Sequence, residues 1–220
     1  VIQKHPDFIE TLTQGLNNQT RTPMLNKNIG TAFVKGVKRF IGYDDIQWLN
    51  KQDDALNEPL MPASVLLKTS AATFLNNEAM QSEIFGPATL LVECDSEQQM
   101  LAVANALEGN LTTSIHATEQ DRSFINELLP VLEQKAGRII FNGFPTGVEV
   151  CGSQHHGGPY PASSNAASTS VGIDAIHRFA KFVSYQDTPA YLLPQALADE
   201  NPHKVVRRVN GCFTASPIKR

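Results

Sequence analysis

The most constraining feature of the chain is an alternation of short apolar runs with amphipathic segments between residues 88 and 142. Residues 88–94 are apolar without alternation, which is typical of a strand buried on both faces. Ser96 then offers a helix cap, and apolar residues recur at helical spacing up to Gly109. The order continues with a strand at 111–117, a helix at 121–136 and a strand at 137–142. This β-α-β-α-β pattern predicts an α/β fold with a parallel sheet, right-handed crossovers and helices on both faces.

The flanking segments extend this pattern. Before it, the spacing of apolar residues predicts two amphipathic helices, a polar loop with a short helix around Trp48, a strand and a weaker second strand. After it, we expect a helix and a strand-like segment. These elements are predicted, in the same order, at 5–16, 29–41, 44–62, 65–70, 72–75, 173–179 and 182–185.

Chemistry is expected beyond the third strand of the pattern, because ligands of open parallel sheets gather at the carboxyl ends of their strands. The segment 142–159 is rich in glycine and contains Cys151, His155 and His156. A cysteine beside an imidazole can be a nucleophile with its base. Equally, Cys151 can pack as a small apolar residue while the histidines are solvated or structural. A zinc site is disfavoured, because no second Cys/His group supplies the remaining ligands, and we predict no metal.

Composition limits the partners and the compartment. The formal net charge of the 220 residues is -4, which lacks the positive field that nucleic acid or an anionic membrane requires. No apolar run is long enough to span a bilayer. Three cysteines, an odd number, favour reduced thiols and a cytoplasmic protein over a disulfide framework. The glycine-rich sequence motifs of phosphate-binding loops do not occur in the chain.

Several strings together resemble a known family. Glu-Ile-Phe-Gly-Pro at 83–87 stands directly before the βαβ region, and Asn-Gly-Phe-Pro-Thr-Gly-Val-Glu-Val-Cys at 142–151 follows it. His-Gly-Gly-Pro at 156–159 and Tyr-Gln-Asp at 185–187 come next. The chain is similar in these strings to the C-terminal part of the catalytic domain in the aldehyde dehydrogenase superfamily. The nearest branch is the bacterial one that includes alpha-ketoglutaric semialdehyde and Vibrio fatty aldehyde dehydrogenases.

The resemblance implies roles for individual residues. Glu83 matches the family glutamate that accepts hydrogen bonds from the nicotinamide ribose, and Phe85 matches the phenylalanine beside the nicotinamide. His156 stands where many relatives place a phenylalanine at the mouth of the substrate pocket. It is either a general base or thiolate partner, or a wall of the pocket without proton transfer. His155 is the alternative if the match is displaced by one residue. The implied cofactor is NADP or NAD.

The resemblance also implies what the chain lacks. The family's nucleophilic cysteine and dinucleotide loop lie upstream of the segment that Val1 resembles, so we expect a C-terminal portion that is inactive alone. Its predicted organisation is catalytic-domain residues 1–165, a helix and oligomerisation strand at 166–190, and a basic tail at 191–220. A small aldehyde and a homodimer or higher homo-oligomer are the implied partners. The alternative is a free-standing, non-catalytic α/β module that binds a ligand or a partner subunit.

Overall fold

The computed structural model describes residues 1–52, 54–147 and 149–219. The chain divides into two compact units, Val1–Arg178 and Phe179–Arg220.

The first sheet of the larger unit is mostly parallel and has four strands. They are β1 (Ile2–Gln3), β2 (Gln47–Trp48), β3 (Val65–Ser70) and β4 (Ala88–Cys94), arranged in the order β1-β4-β3-β2. β4 runs parallel to both β1 and β3, whereas β2 is antiparallel to β3. The strands predicted at 65–70 and 88–94 are confirmed with these bounds.

A second sheet in the same unit consists of β5 (Asn110–Ile115) and β6 (Ala136–Phe141), which are parallel. The strands and the intervening helices were predicted correctly, but the single sheet through all three strands of the pattern was wrong. Both edges of β4 are occupied by β1 and β3, so β4 has no hydrogen-bonding edge left for β5. The α/β class with parallel strands is confirmed.

Five α-helices lie in the described part of the larger unit: α1 (Pro6–Asn17), α2 (Lys27–Phe40), α3 (Ala71–Leu75), α4 (Glu97–Ala106) and α5 (Arg122–Glu133). Side-chain caps explain where α2 and α4 begin. Asn26 Oδ1 accepts from the Ile29 amide at 3.0 Å, and Ser96 Oγ accepts from the Gln99 amide at 3.3 Å. Four of these helices match the sequence prediction.

Two short elements differ from the sequence prediction. Trp48 belongs to a strand rather than a short helix, because Leu67 and Lys68 of β3 pair with it and its neighbour across the sheet. The weak strand expected at 72–75 is helix α3. Ser70 Oγ accepts from the Thr73 amide at 3.2 Å and so caps that helix. In both cases the secondary structure depends on a hydrogen-bonding partner that the local pattern of apolar residues does not predict.

The core has two clusters of buried side chains. The larger cluster joins α2 to the first sheet and to α3 and α4, and the smaller one joins α4 and α5 to β5 and β6. The fully buried side chains of the larger cluster include Phe33, Val37, Phe40, Leu67, Val103 and Cys94, and the smaller contains Ala104, Ile115, Leu128 and Leu132. The apolar faces predicted for these helices are therefore the faces that pack.

The smaller unit is organised around one buried amide. Asn201 Nδ2 donates to the carbonyls of Val205 and Ala215, each at 2.9 Å, and its Oδ1 accepts from the Val205 amide at 3.0 Å. Strands β7 (Arg207–Val209) and β8 (Cys212–Thr214) form an antiparallel hairpin beside it. The Arg207 guanidinium donates to the Ala198 carbonyl at 2.6 Å. The basic tail is thus folded upon itself.

The segment between the second sheet and the tail is less regular than the sequence predicts. The helix expected at 173–179 is a 3-10 helix, Ile173–Arg178. The segment 182–185, predicted to be strand-like, has no regular secondary structure and pairs with none of the strands in the described part of the chain. Among the described residues there is no helix with the length and apolarity needed to cross a membrane.

Candidate functional site

The segment 82–87 connects the 3-10 helix Glu78–Gln81 to β4 and is pinned to the core at Gly86. Gly86 has a φ of +148°, a conformation that side chains other than glycine rarely adopt. A Cβ at this position would overlap the ring of Phe33, which is 1% exposed on α2. Only glycine allows the backbone to pass this close to α2, so its conformation determines where Glu83 and Phe85 stand.

Glu83 and Phe85 line one depression of about 360 Å³, together with Phe40, Leu67 and Met80. Phe85 is 64% exposed although it is a large apolar side chain. The Glu83 carboxylate is exposed and has no hydrogen-bond or ion-pair partner among the described residues. The structure therefore brings these two predicted residues together in a groove with an apolar floor, a free carboxylate and an available aromatic face.

His156 is held by its backbone. Its amide donates to Thr169 Oγ1 at 2.8 Å, and its carbonyl accepts from the amide and hydroxyl of Ser170 at 2.9 and 3.0 Å. Thr169 is 4% exposed, so this anchor is shielded from water. The imidazole is half-buried. Sequence reasoning missed Thr169, which lies in a stretch of small polar residues without a motif.

His155 has different surroundings. Its ring packs against Gly157 and lines a second depression of about 400 Å³, which Gln154, Ser168 and His177 also line. Neither His155 nor His156 lines the groove of Glu83 and Phe85. The two adjacent histidines therefore belong to different surroundings, as adjacency in a loop predicts.

The three cysteines are free. Cys94 is buried, and this burial raises the pKa of its thiol, which makes it a poor nucleophile. Cys151 is exposed with its Sγ 3.4 Å from Ser153 Oγ, and it makes no hydrogen bond to either neighbouring histidine within the described chain. The structure does not bring Cys151 and a histidine together as nucleophile and base. The described residues contain no cluster of three or more potential metal ligands.

Asn142 anchors the loop that carries both histidines. Asn142 directly follows β6 and has a φ of +48°. Its side chain hydrogen-bonds to the backbone just beyond the end of β5. Asn142 Oδ1 accepts from the Ala117 amide at 2.8 Å, and Nδ2 donates to the Ala117 carbonyl at 2.9 Å. The Asn-Gly pair at the end of a strand signals such a turn, because asparagine tolerates positive φ, but the sequence does not identify Ala117 as the partner.

The far end of the same loop packs closely against the beginnings of both strands. A Cβ on Gly137 would overlap the Gly157 carbonyl, and one on Gly158 would overlap the Asn110 carbonyl. The glycines therefore allow backbone to lie directly on backbone. The segment 142–158 is thus fixed at both ends, which gives His156 a defined position.

Comparisons with known proteins identify the family of the chain. The profile of the aldehyde dehydrogenase family matches residues 18–182. Alpha-ketoglutaric semialdehyde dehydrogenase 2 of Azospirillum brasilense is 39% identical over 206 residues, which are 93% of this chain and 39% of that protein. Alpha-ketoglutaric semialdehyde dehydrogenase of Acinetobacter baylyi is 38% identical over 217 residues, 96% of this chain and 41% of the relative. The chain spans about two fifths of the length of these relatives.

Solved structures share the fold. PnpE from Pseudomonas sp. WBC-3 superposes with a TM-score of 0.59 at 17% identity, over 83% of this chain and 40% of PnpE. A lactaldehyde dehydrogenase superposes with a TM-score of 0.59 at 16% identity, over 79% of this chain and 36% of the other. With the family profile covering most of the residues, the chain belongs to the aldehyde dehydrogenase family.

Proposed function

We propose that this chain contributes the nicotinamide-facing part of an enzyme that oxidises an aldehyde to a carboxylic acid with NAD or NADP. The observation that carries the proposal is the groove in which Glu83 and Phe85 lie side by side, the first without a partner among the described residues and the second exposed. Membership of the aldehyde dehydrogenase family supports the reaction class.

The groove suits a nicotinamide riboside. A free carboxylate accepts hydrogen bonds from ribose hydroxyls, and an exposed aromatic ring offers a flat apolar face to the nicotinamide. In this proposal Glu83 orients the ribose and Phe85 shields the ring from water on one side. The cofactor, when bound, supplies the acceptor for the hydride that leaves the aldehyde carbon. The chain's task is to fix where that acceptor lies.

The substrate is proposed to be a semialdehyde of an oxo acid. This rests on the names of the two relatives, which share 38–39% of residues with this chain. His156 is proposed to stand at the substrate entrance as a proton acceptor, since its backbone anchors and half-buried ring give it a defined position. We assign the nucleophilic role to neither Cys94 nor Cys151, because Cys94 is buried and Cys151 makes no hydrogen bond to a basic side chain in the described chain.

Glu83→Gln in the full-length enzyme tests the cofactor role. The change preserves shape but removes the charge that strengthens the hydrogen bonds to ribose. A charged hydrogen bond contributes about 1.5–3 kcal/mol, so we expect the KM for the cofactor to rise about 10–100-fold, or single-turnover hydride transfer to slow by a similar factor.

The matched control is Glu108→Gln. Glu108 is another exposed glutamate, outside the groove and without an ion pair in the described structure. It should leave both constants within about twofold of wild type, as surface changes usually do. Wild-type cofactor kinetics in Glu83→Gln would refute the assignment.

We also propose that the enzyme is a cytoplasmic homo-oligomer in which a second copy covers the segment 179–185. Within this segment Phe179 is 88% exposed and Val183 60% exposed, and the backbone pairs with no strand in the described chain. A run of exposed apolar side chains commonly marks a surface that another chain covers. Replacing Val183 with lysine should lower the assembly size measured by light scattering, and an unchanged size would refute this interface.

A further inference from the structure

The dipeptide Asn-Gly occurs twice in the chain, at 142–143 and at 210–211. Both asparagines have a φ of +48°, and both residues are exposed. Each directly follows a strand, β6 in one case and β7 in the other. The two sites therefore share their sequence, their φ and their exposure, and they can be compared directly.

The two sites differ in what holds the asparagine side chain. Asn142 Oδ1 accepts from the Ala117 amide at 2.8 Å and Nδ2 donates to the Ala117 carbonyl at 2.9 Å, so both polar atoms are fixed. Among the described residues, the Asn210 side chain has no hydrogen-bond partner, and neither has the Gly211 amide. Arg208 Nε donates to the Gly211 carbonyl at 3.3 Å, which leaves both of these groups free.

The hairpin around Asn210 is small. Its strands β7 and β8 have three residues each, and Asn210 and Gly211 form the turn between them. In the described part of the chain these strands pair only with each other, whereas Asn142 adjoins a sheet that packs against α4 and α5. A two-stranded hairpin with exposed residues belongs to the least stable parts of a fold. The turn at Asn210 therefore opens more readily than the loop at Asn142.

A free Asn-Gly pair reacts with itself, because glycine places no Cβ beside the attacking nitrogen. The Gly211 amide loses its proton to solvent, and its nitrogen attacks Cγ of Asn210, which forms an N–Cγ bond in a succinimide ring. The Cγ–Nδ2 bond breaks, and Nδ2 takes up a proton from solvent and leaves as ammonia. Water then opens the ring at either carbonyl and gives aspartate or isoaspartate. Nothing is oxidised or reduced, and water is the co-reactant.

We propose that Asn210 is a deamidation site of this chain and that Asn142 is protected. To react, Asn142 must give up both hydrogen bonds to Ala117. A hydrogen bond between neutral groups contributes a factor of about 2–10 to an equilibrium, so the two bonds together should slow the reaction of Asn142 about 5–100-fold relative to Asn210. The isoaspartate product adds a methylene group to the main chain of a two-residue turn, which no longer fits the pairing of Val209 with Cys212. The modification therefore loosens the hairpin as the protein ages.

The test is incubation of the folded full-length protein at neutral and at alkaline pH, followed by tryptic peptide mapping with mass spectrometry. Trypsin cleaves after Arg208 and Lys219, so the peptide 209–219 contains Asn210 as its single asparagine. Aspartate and isoaspartate should appear first in this peptide, and faster at the higher pH, because the reaction begins with loss of the amide proton. Fragment ions should show that Asn142 reacts about 5–100-fold more slowly. In urea the hydrogen bonds to Ala117 are lost, and the two sites should then react at similar rates.

Asn210→Gly is the matched control, because it removes the reactive amide and keeps a residue that suits the turn. Its peptide 209–219 should keep its mass during the same incubation. Amide hydrogen exchange in β7 and β8 should become faster as the wild type ages and stay constant in Asn210→Gly. The inference is overturned if Asn142 reacts as fast as Asn210 in the folded protein, or if Asn210 stays intact there while it deamidates in urea. Unchanged hydrogen exchange in the modified wild type would overturn the loosening of the hairpin.

Discussion

Replacing Gly86 with alanine should destabilise the chain and disturb the cofactor groove together. The φ of +148° lies in a region that is nearly reserved for glycine, and occupying it costs another residue about 1–3 kcal/mol. The added methyl group would also overlap the Phe33 ring and come within 3.1 Å of Met24 Cε. The methionine end can move, but Phe33 is 1% exposed and cannot leave its place without a shift of α2.

Overpacking of this kind costs about 1–3 kcal/mol, so the two contributions together predict a loss of about 2–6 kcal/mol in the free energy of unfolding. Urea unfolding followed by circular dichroism measures the loss. With a slope of about 1–3 kcal/mol per molar urea, the midpoint should fall by about 0.7 M or more. In the full-length enzyme the same variant should raise the KM for the cofactor, because the segment holding Glu83 and Phe85 must move away from α2.

Gly147→Ala is the control for this experiment. The φ of Gly147 lies outside the range that favours glycine, and a Cβ there would meet nothing within 4 Å. Its free energy of unfolding should stay equal or rise by up to about 1 kcal/mol, because alanine restricts the unfolded chain. If Gly86→Ala were as stable as Gly147→Ala, the claim that Gly86 pins the segment against Phe33 would be refuted.

Three further predictions concern the loop anchored by Asn142, the stability of the fold at acid pH, and the proposed substrate entrance. Asn142→Ala removes both hydrogen bonds to Ala117 and places alanine at positive φ, so urea unfolding should show a loss of about 1–3 kcal/mol; a loss below about 0.5 would contradict the clasp. Hydrogen bonds from Ser70 and Thr73 lower the pKa of Asp45 below its ordinary value of 3.8. Because the pKa of Asp45 is lower in the folded state, its hydrogen bonds stabilise the fold above pH 3.8, and this stabilisation is lost as the pH falls further. Asp45→Asn should therefore reduce the drop in melting temperature that acid causes between about pH 4 and 2. An unchanged drop would contradict the role of Asp45. His156→Ala in the full-length enzyme should slow turnover about 10²–10⁴-fold and change its dependence on pH, whereas an unchanged profile would leave His156 as a wall of the pocket.

The sequence predicts most of the larger unit because its helices and parallel strands carry strong periodic signals. Burial determines which residues are apolar in the strand Ala88–Cys94 and on the packed faces of α4 and α5. The order of apolar residues therefore predicts these elements directly. Where a contact distant in sequence decides, the prediction fails. Trp48 pairs with β3, and β4 is enclosed by β1 and β3, and neither fact can be read from a local window.

For the candidate site, the sequence leads to some residues and not to others. The motif around Glu83 and Phe85 leads to both residues of the groove, and the structure places them in one depression. Thr169 and Ala117, which hold the loop, are not predictable. Each of their hydrogen bonds joins a side chain to a backbone group distant in the sequence, and a backbone partner leaves no trace in the identity of its own residue.

The central claim is that the groove of Glu83 and Phe85 faces the nicotinamide riboside. A crystal structure of the full-length enzyme with NAD or NADP tests it most directly. The account predicts the Glu83 carboxylate at about 2.5–3.0 Å from a hydroxyl of the nicotinamide ribose, with the Phe85 ring at about 3.5–4.0 Å from the nicotinamide. A nicotinamide bound elsewhere, with both side chains exposed to water as they are now, would contradict the claim.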